Sequence, residues 1–116
     1  MLVVDDDPDI LDALSEILEA EGYDVQRARN GREALQRLEQ GLPDLVLLDL
    51  MMPVMDGWEF ARSLAPGARP PIIVLSADRN VSSKAKEIGA LDWLAKPFEL
   101  SELLSAVRRA LPLQVP

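Results

Sequence analysis

The chain has 116 residues, which suits one compact domain and is too short for two ordinary ones. Hydrophobic residues make up 48% and charged residues 28%, so a packed core is expected and wholesale disorder is not. The net charge of -8 disfavours direct binding to nucleic acid, and the absence of Cys and His excludes disulfides, Cys/His zinc sites and imidazole-based catalysis.

The amino-terminal segment lacks the patterns that direct a chain to or across a membrane. Met1 leads directly into Leu2 and two valines, without a basic start, a long apolar stretch or a small-residue cleavage site. We therefore expect neither secretion nor a membrane span. A cytoplasmic location is expected, and the absence of Cys permits it.

Short apolar runs alternate with longer segments of helical period along the chain. This order, βαβαβαβαβα, is typical of an α/β domain built around a parallel sheet. The predicted strands are Leu2–Asp5, Tyr23–Ala28, Leu45–Asp49, Ile72–Ser76 and Trp93–Ala95.

The predicted helices begin and end at recognisable residues. Asp7 can cap the first helix with Pro8 behind it, and Gly22 ends it. Asn30 and Asp56 begin the second and third helices, each with a Glu three residues later. The fourth, Val81–Ile88, has a thin apolar row and should be the least firmly packed, whereas the last has a strong stripe of Leu100, Leu103, Leu104, Val107 and Leu111.

Polar side chains follow four of the five predicted strands at their carboxyl ends, where parallel α/β sheets bind ligands. Asp5 and Asp6 follow the first strand, Asp49 ends the third, Ser76 ends the fourth, and Lys96 follows the fifth. Carboxylates that converge repel one another, and one lysine does not balance them. Mg²⁺ with a phosphate oxygen is the natural complement, and a carboxylate is the only plausible covalent nucleophile at this edge.

Each of these residues alone has a plainer interpretation. The acidic pair could be a solvated turn, Asp49 a loop-start residue, Ser76 a local hydrogen-bonding group, Lys96 a surface side chain and Trp93 ordinary core. Their joint placement at one edge favours the metal and phosphoryl site.

Four motifs then point to a known family: Leu2–Asp7, Leu47–Pro53 with Met55–Gly57, Ser76–Ala77, and Lys96–Phe98. Together they resemble the receiver domain of bacterial two-component response regulators, over Leu2 to Leu111. The resemblance implies a single receiver domain across residues 1–116. Its fold would be a doubly wound, flavodoxin-like (βα)5 domain with a five-stranded parallel sheet in the order 2-1-3-4-5.

The resemblance also implies the chemistry of the site. Asp49 would be phosphorylated by a phosphohistidine of a sensor histidine kinase or phosphotransfer protein. Mg²⁺ would be held by Asp6 directly, by Asp5 partly through water, by Asp49, and by the backbone carbonyl of Met51. The family's pattern makes Lys96 the neutralising point charge on one phosphoryl oxygen.

The remaining implied features concern switching. Ser76 would hydrogen-bond another phosphoryl oxygen, and Trp93 stands where the family has the aromatic residue that turns inward at that moment. The surface of the fourth helix, fifth strand and fifth helix would change with them. The Lys96–Pro97 peptide resembles one that is cis in the family.

Partners beyond the kinase are an effector domain or output protein and a phosphorylation-linked homodimer, neither of which the sequence decides. Catalysis would be limited to the domain's own phosphorylation and dephosphorylation.

Two other functions share these residues: a receiver-like docking module that is never phosphorylated, and an Asp-nucleophile, Mg²⁺-dependent phosphatase. The phosphatase normally needs a second Asp where Met51 stands, and a docking module would usually have lost one of the five site residues.

Overall fold

A computed structural model of the chain describes residues 1–50, 59–60 and 70–111. Most of the predicted third helix, including its proposed cap Asp56, lies outside these residues, whereas Glu59 and Phe60 are helical. The helices numbered α3 and α4 below are therefore the fourth and fifth predicted ones. In chain order the elements are β1 Leu2–Val4, α1 Pro8–Ala20, β2 Gln26–Ala28, α2 Gly31–Glu39, β3 Val46–Asp49, β4 Ile72–Ser76, α3 Val81–Glu87, β5 Asp92–Ala95 and α4 Leu100–Ala110.

The five strands form one parallel sheet in the order β2-β1-β3-β4-β5, which confirms the predicted fold class. β1, β3 and β4 are buried along their whole length, as strands covered on both faces must be. One apolar core joins the sheet to residues of α2 and α3, and the other joins it to α1 and α4. The carboxyl ends of the three central strands consequently meet at one edge between two helical layers.

β2 starts later than the sequence predicts. Tyr23 was expected to begin the strand, but its N–H donates to the carbonyl of Leu18, and the N–H of Gly22 donates to the carbonyl of Glu19. This hydrogen-bond pair, with Gly22 at φ 95°, is a Schellman motif that ends α1. Tyr23 therefore belongs to the helix terminus, and the strand begins at Gln26.

The predicted helix caps are present in the described part of the chain. The Asp7 carboxylate accepts from the backbone N–H of Asp9 at 2.9 Å, and the Asn30 side chain accepts from the N–H of Glu33 at 2.9 Å. Both helices therefore begin where the sequence placed their starts.

The apolar stripe of the last helix is narrower than predicted. Leu103, Ala106 and Val107 are buried, but Leu100 is 49% exposed at the first turn, so its assignment to the buried stripe is wrong. The first turn of α4 lies where the chain leaves the sheet edge, and position 100 faces away from the core there. None of the helices in the described ranges combines the length and the hydropathy of a transmembrane segment.

Candidate functional site

Three aspartates meet at the carboxyl edge of the sheet. One carboxylate oxygen from each of Asp5, Asp6 and Asp49 lies within 4.8 Å of the others. In the parallel register of β1 with β3, Val4 is opposite Leu48, so Asp5 and Asp49 leave the two strands side by side. The sequence predicted this convergence, and the structure brings all three residues together.

Two of the three carboxylates are withdrawn from water. Asp5 is 1% exposed and Asp49 is 5% exposed, whereas Asp6 is exposed at the opening of the site. The backbone N–H of Asp7 donates to Oδ1 of Asp5 at 3.0 Å, so the turn that starts α1 also fixes the Asp5 carboxylate. Oxygen donors of this kind are the ligands that Mg²⁺ prefers, so the donor set fits a hard divalent cation.

Lys96 provides the cationic group of the site. Its Nζ lies 3.0 Å from Oδ2 of Asp5 and 3.6 Å from Oδ2 of Asp49, with 20% of its side chain exposed. The Lys96–Pro97 peptide bond is cis. Among the residues that the structure describes, one ammonium faces three carboxylates, so this cluster carries net negative charge that a metal ion would neutralise.

Ser76 stands beside the carboxylates at the end of β4. β3 and β4 pair with Asp49 opposite Leu75, which places Ser76 one residue beyond Asp49 at the same edge. Ser76 is fully buried, and its Oγ accepts from the backbone N–H of Asp78 at 3.1 Å. Its backbone carbonyl accepts from the N–H of Lys96 at 2.8 Å, which ties β4 to the end of β5.

Two further predicted residues lie away from this cluster or outside the described residues. Trp93 in β5 is 40% exposed, so it faces solvent in this structure instead of lying in the core. Met51, predicted to offer a backbone carbonyl to the metal, lies outside the described residues.

Sequence reasoning missed the contacts of the turn that follows Ser76. The carboxylate of Asp78 forms an ion pair with Lys84 of α3 and accepts from the N–H of Asn80 at 2.7 Å. The hydrogen bond from Lys84, and then that from the Asn80 amide, lower the pKa of Asp78. No sequence pattern predicts an ion pair between a residue of this turn and a helix residue six positions later.

Comparisons with known proteins agree on one family. The family model described as the response regulator receiver domain matches residues 1–108. Response regulator MprA of Mycolicibacterium vanbaalenii is 45% identical over 114 residues, covering 96% of this chain and 49% of the relative. The chain thus spans about half the length of the curated relatives it matches.

Two solved structures are similar over nearly the whole chain. Response regulator TrrA of Thermotoga maritima, in complex with Mg(2+)-BeF, has a TM-score of 0.84 and 38% identity, covering 95% of this chain and 96% of that one. The signal receiver domain of a histidine kinase from Syntrophus aciditrophicus has a TM-score of 0.86 and 37% identity, covering 99% and 92%. The chain therefore belongs to the response regulator receiver domain family of two-component systems.

Proposed function

We propose that this chain accepts a phosphoryl group on the carboxylate of Asp49, supplied by a phosphohistidine of a sensor histidine kinase or phosphotransfer protein. The observation that carries the proposal is the setting of Asp49, with Asp5 and Asp6 beside it and the Lys96 ammonium 3.6 Å away. A carboxylate in such a setting is a nucleophile whose product can be stabilised by nearby positive charge.

Asp5, Asp6 and Asp49 are the residues that would hold Mg²⁺, and the resemblance adds the backbone carbonyl of Met51. When bound, Mg²⁺ supplies the positive charge that a pocket of three carboxylates needs before it can admit a phosphoryl group. The Mg(2+)-BeF complex of TrrA supports this proposal, since that domain is 38% identical and has the same fold.

The chain's own residues then have simple roles in the transfer. A carboxylate oxygen of Asp49 forms a bond to phosphorus while the bond between phosphorus and the histidine nitrogen breaks, and the nitrogen keeps the electron pair. Lys96 balances charge on the phosphoryl oxygens, and Ser76 donates a hydrogen bond to one of them. Hydrolysis of the aspartyl phosphate returns the free carboxylate, so the domain catalyses only its own modification.

The signal would leave the domain through the surface formed by α3, β5 and α4. Trp93 lies on this surface, 40% exposed, and its inward movement on phosphorylation would change what a partner contacts. We propose an effector domain as one recipient, because the MprA relatives are about twice as long as the region they share with this chain. A phosphorylation-linked homodimer is the other form of output that we propose.

Reaction with acetyl phosphate and Mg²⁺, followed by intact-mass measurement, tests the proposal. We expect the wild type and an Asp44→Asn control, changed at an exposed aspartate, to gain one phosphoryl group, and Asp49→Asn to gain none. A wild type that stays unmodified under conditions that phosphorylate another receiver would indicate a docking module. Repeated turnover of a phosphate ester would indicate a phosphatase.

A further inference from the structure

β2 lies at one edge of the sheet, and among the described residues no strand pairs with its outer side. On its inner side, the N–H of Gln26 donates to the carbonyl of Met1 at 2.9 Å. The carbonyl of Ala28 accepts from the N–H of Asp5 at 3.1 Å. Backbone groups alternate in direction along a strand, so the N–H and the carbonyl of Arg27 point outward. An outer edge of this kind is a template on which another strand can pair.

Two side chains of α2 bind the outward backbone groups of this edge. Nε of Arg37 donates to the carbonyl of Arg27 at 3.2 Å. Oε1 of Glu33 accepts from the backbone N–H of Arg29 at 2.8 Å, and the guanidinium of Arg29 holds the other oxygen of the same carboxylate at 3.0 Å. In a parallel ladder, one residue of an added strand would donate to that carbonyl and accept from that N–H. The two side chains therefore take the place of one residue of a further strand.

We propose that Glu33 and Arg37 close the β2 edge to strand addition and so prevent a second copy of this chain from pairing with it. A second copy fits the edge because the same outward groups on both copies can pair about a twofold axis, with the two β2 strands antiparallel. The carbonyl of Arg27 and the N–H of Arg29 are among the groups that such a pair requires. β2 and β5 are opposite edges of the sheet, so this role is separate from the proposed output surface and does not depend on phosphorylation.

A purely structural role for these contacts predicts a different result. If Glu33 and Arg37 only fastened α2 to the sheet, their removal would lower the free energy of unfolding and leave the folded protein a monomer. Closure of the edge predicts that the folded protein self-associates, because the removal frees one carbonyl and one N–H on each copy. The oligomeric state of the folded variant therefore distinguishes the two explanations.

The test compares two double variants of α2 by sedimentation velocity, without a phosphoryl donor. Glu33→Ala/Arg37→Ala removes both contacts, whereas Arg32→Ala/Glu39→Ala removes the same two residue types from exposed positions of the same helix. We expect the first variant to self-associate at least about tenfold more tightly than the wild type, since each of the four groups freed in a pair contributes about two- to tenfold. The second variant should match the wild type. Glu33→Gln should match it as well, because it keeps an oxygen that accepts from the N–H of Arg29.

Amide hydrogen exchange, followed by NMR, locates the association. In Glu33→Ala/Arg37→Ala, exchange at Arg27 and Arg29 should slow as the protein concentration rises, and exchange in β5 should not change. A variant that stays monomeric, equal association of the two double variants, or slower exchange in β5 alone would overturn the proposal. Circular dichroism establishes that each variant is folded. If the double variant is unfolded, Arg37→Ala alone, which frees the carbonyl of Arg27, gives the same comparison.

Discussion

Replacement of Asp49 by Asn should stabilise the metal-free protein, although it removes the proposed phosphoryl acceptor. At an effective dielectric constant of about 20, two unit charges 4.8 Å apart repel by about 3.5 kcal/mol. Among the described residues, Asp49 faces two carboxylates within this distance, and the attraction of Lys96 at 3.6 Å offsets about 4.6 kcal/mol of that repulsion. Water around the exposed Asp6 screens part of the remainder, which leaves an expected gain of about 1 to 2 kcal/mol.

Urea unfolding in EDTA, followed by circular dichroism, measures this gain. The midpoint of Asp49→Asn should lie about 1 M above that of the wild type, because unfolding free energy falls by about 1 to 3 kcal/mol per molar urea. In Mg²⁺ the difference should shrink, since the wild type gains more from binding the ion. The Asp44→Asn control should match the wild type. An Asp49→Asn protein that is no more stable than the wild type in EDTA would refute the idea of a repulsive cluster built for a cation.

Three further results are expected. Millimolar Mg²⁺ should raise the melting temperature of the wild type and raise that of Asp6→Ala much less, and equal shifts in calorimetry would count against Asp6 as a ligand. Ser15→Ala should leave the free energy of unfolding in urea unchanged or raise it by up to about 1 kcal/mol. The reason is that Ser15 is fully buried and its hydroxyl has no hydrogen-bond partner among the described residues. A clear decrease in that free energy would contradict this expectation. Hydrogen bonds from the side chain and backbone of Arg29 lower the pKa of Glu33, so Glu33→Gln should be less stable than the wild type at neutral pH. That difference should begin to shrink as the pH falls below the ordinary Glu pKa of about 4.3, where the unfolded chain takes up the proton first, and should be lost once the pH is below the lowered pKa of the folded state. A difference that stays constant through this range would argue against the ion pair.

The fold was predictable because its signals are local and strong. β3 and β4 are apolar up to their last residues, the pattern of a strand covered on both faces. Asp7 and Asn30 each mark a helix start through a single capping side chain. The predicted start of β2 was wrong because Tyr23 hydrogen-bonds to Leu18 in the turn at Gly22 and therefore belongs to the end of α1. The prediction that Leu100 belongs to the buried stripe was wrong because the helical period alone does not say where along a helix the core ends.

The acidic cluster was predictable for a topological reason. Parallel strands deliver their carboxyl ends to one edge, so Asp5 and Asp49 had to be neighbours once their strands were identified. The contacts of Lys84 were not predictable, since a flexible lysine on a helix can reach several acids and the sequence does not choose among them. The burial of the Asp5 and Asp49 side chains was likewise not predictable, since the hydrophobic period of a strand does not say how exposed the polar residue at its carboxyl end is.

The position of the phosphoryl group tests the central proposal most directly. After reaction with acetyl phosphate and Mg²⁺, borohydride reduction converts an aspartyl phosphate to homoserine, and peptide mass spectrometry then locates the altered residue. The change should appear at Asp49 alone, and a matching sample from Asp49→Asn should show none. Reduction at Asp5 or Asp6, or a borohydride-resistant phosphate on Ser76, would contradict the assignment of Asp49 as the acceptor.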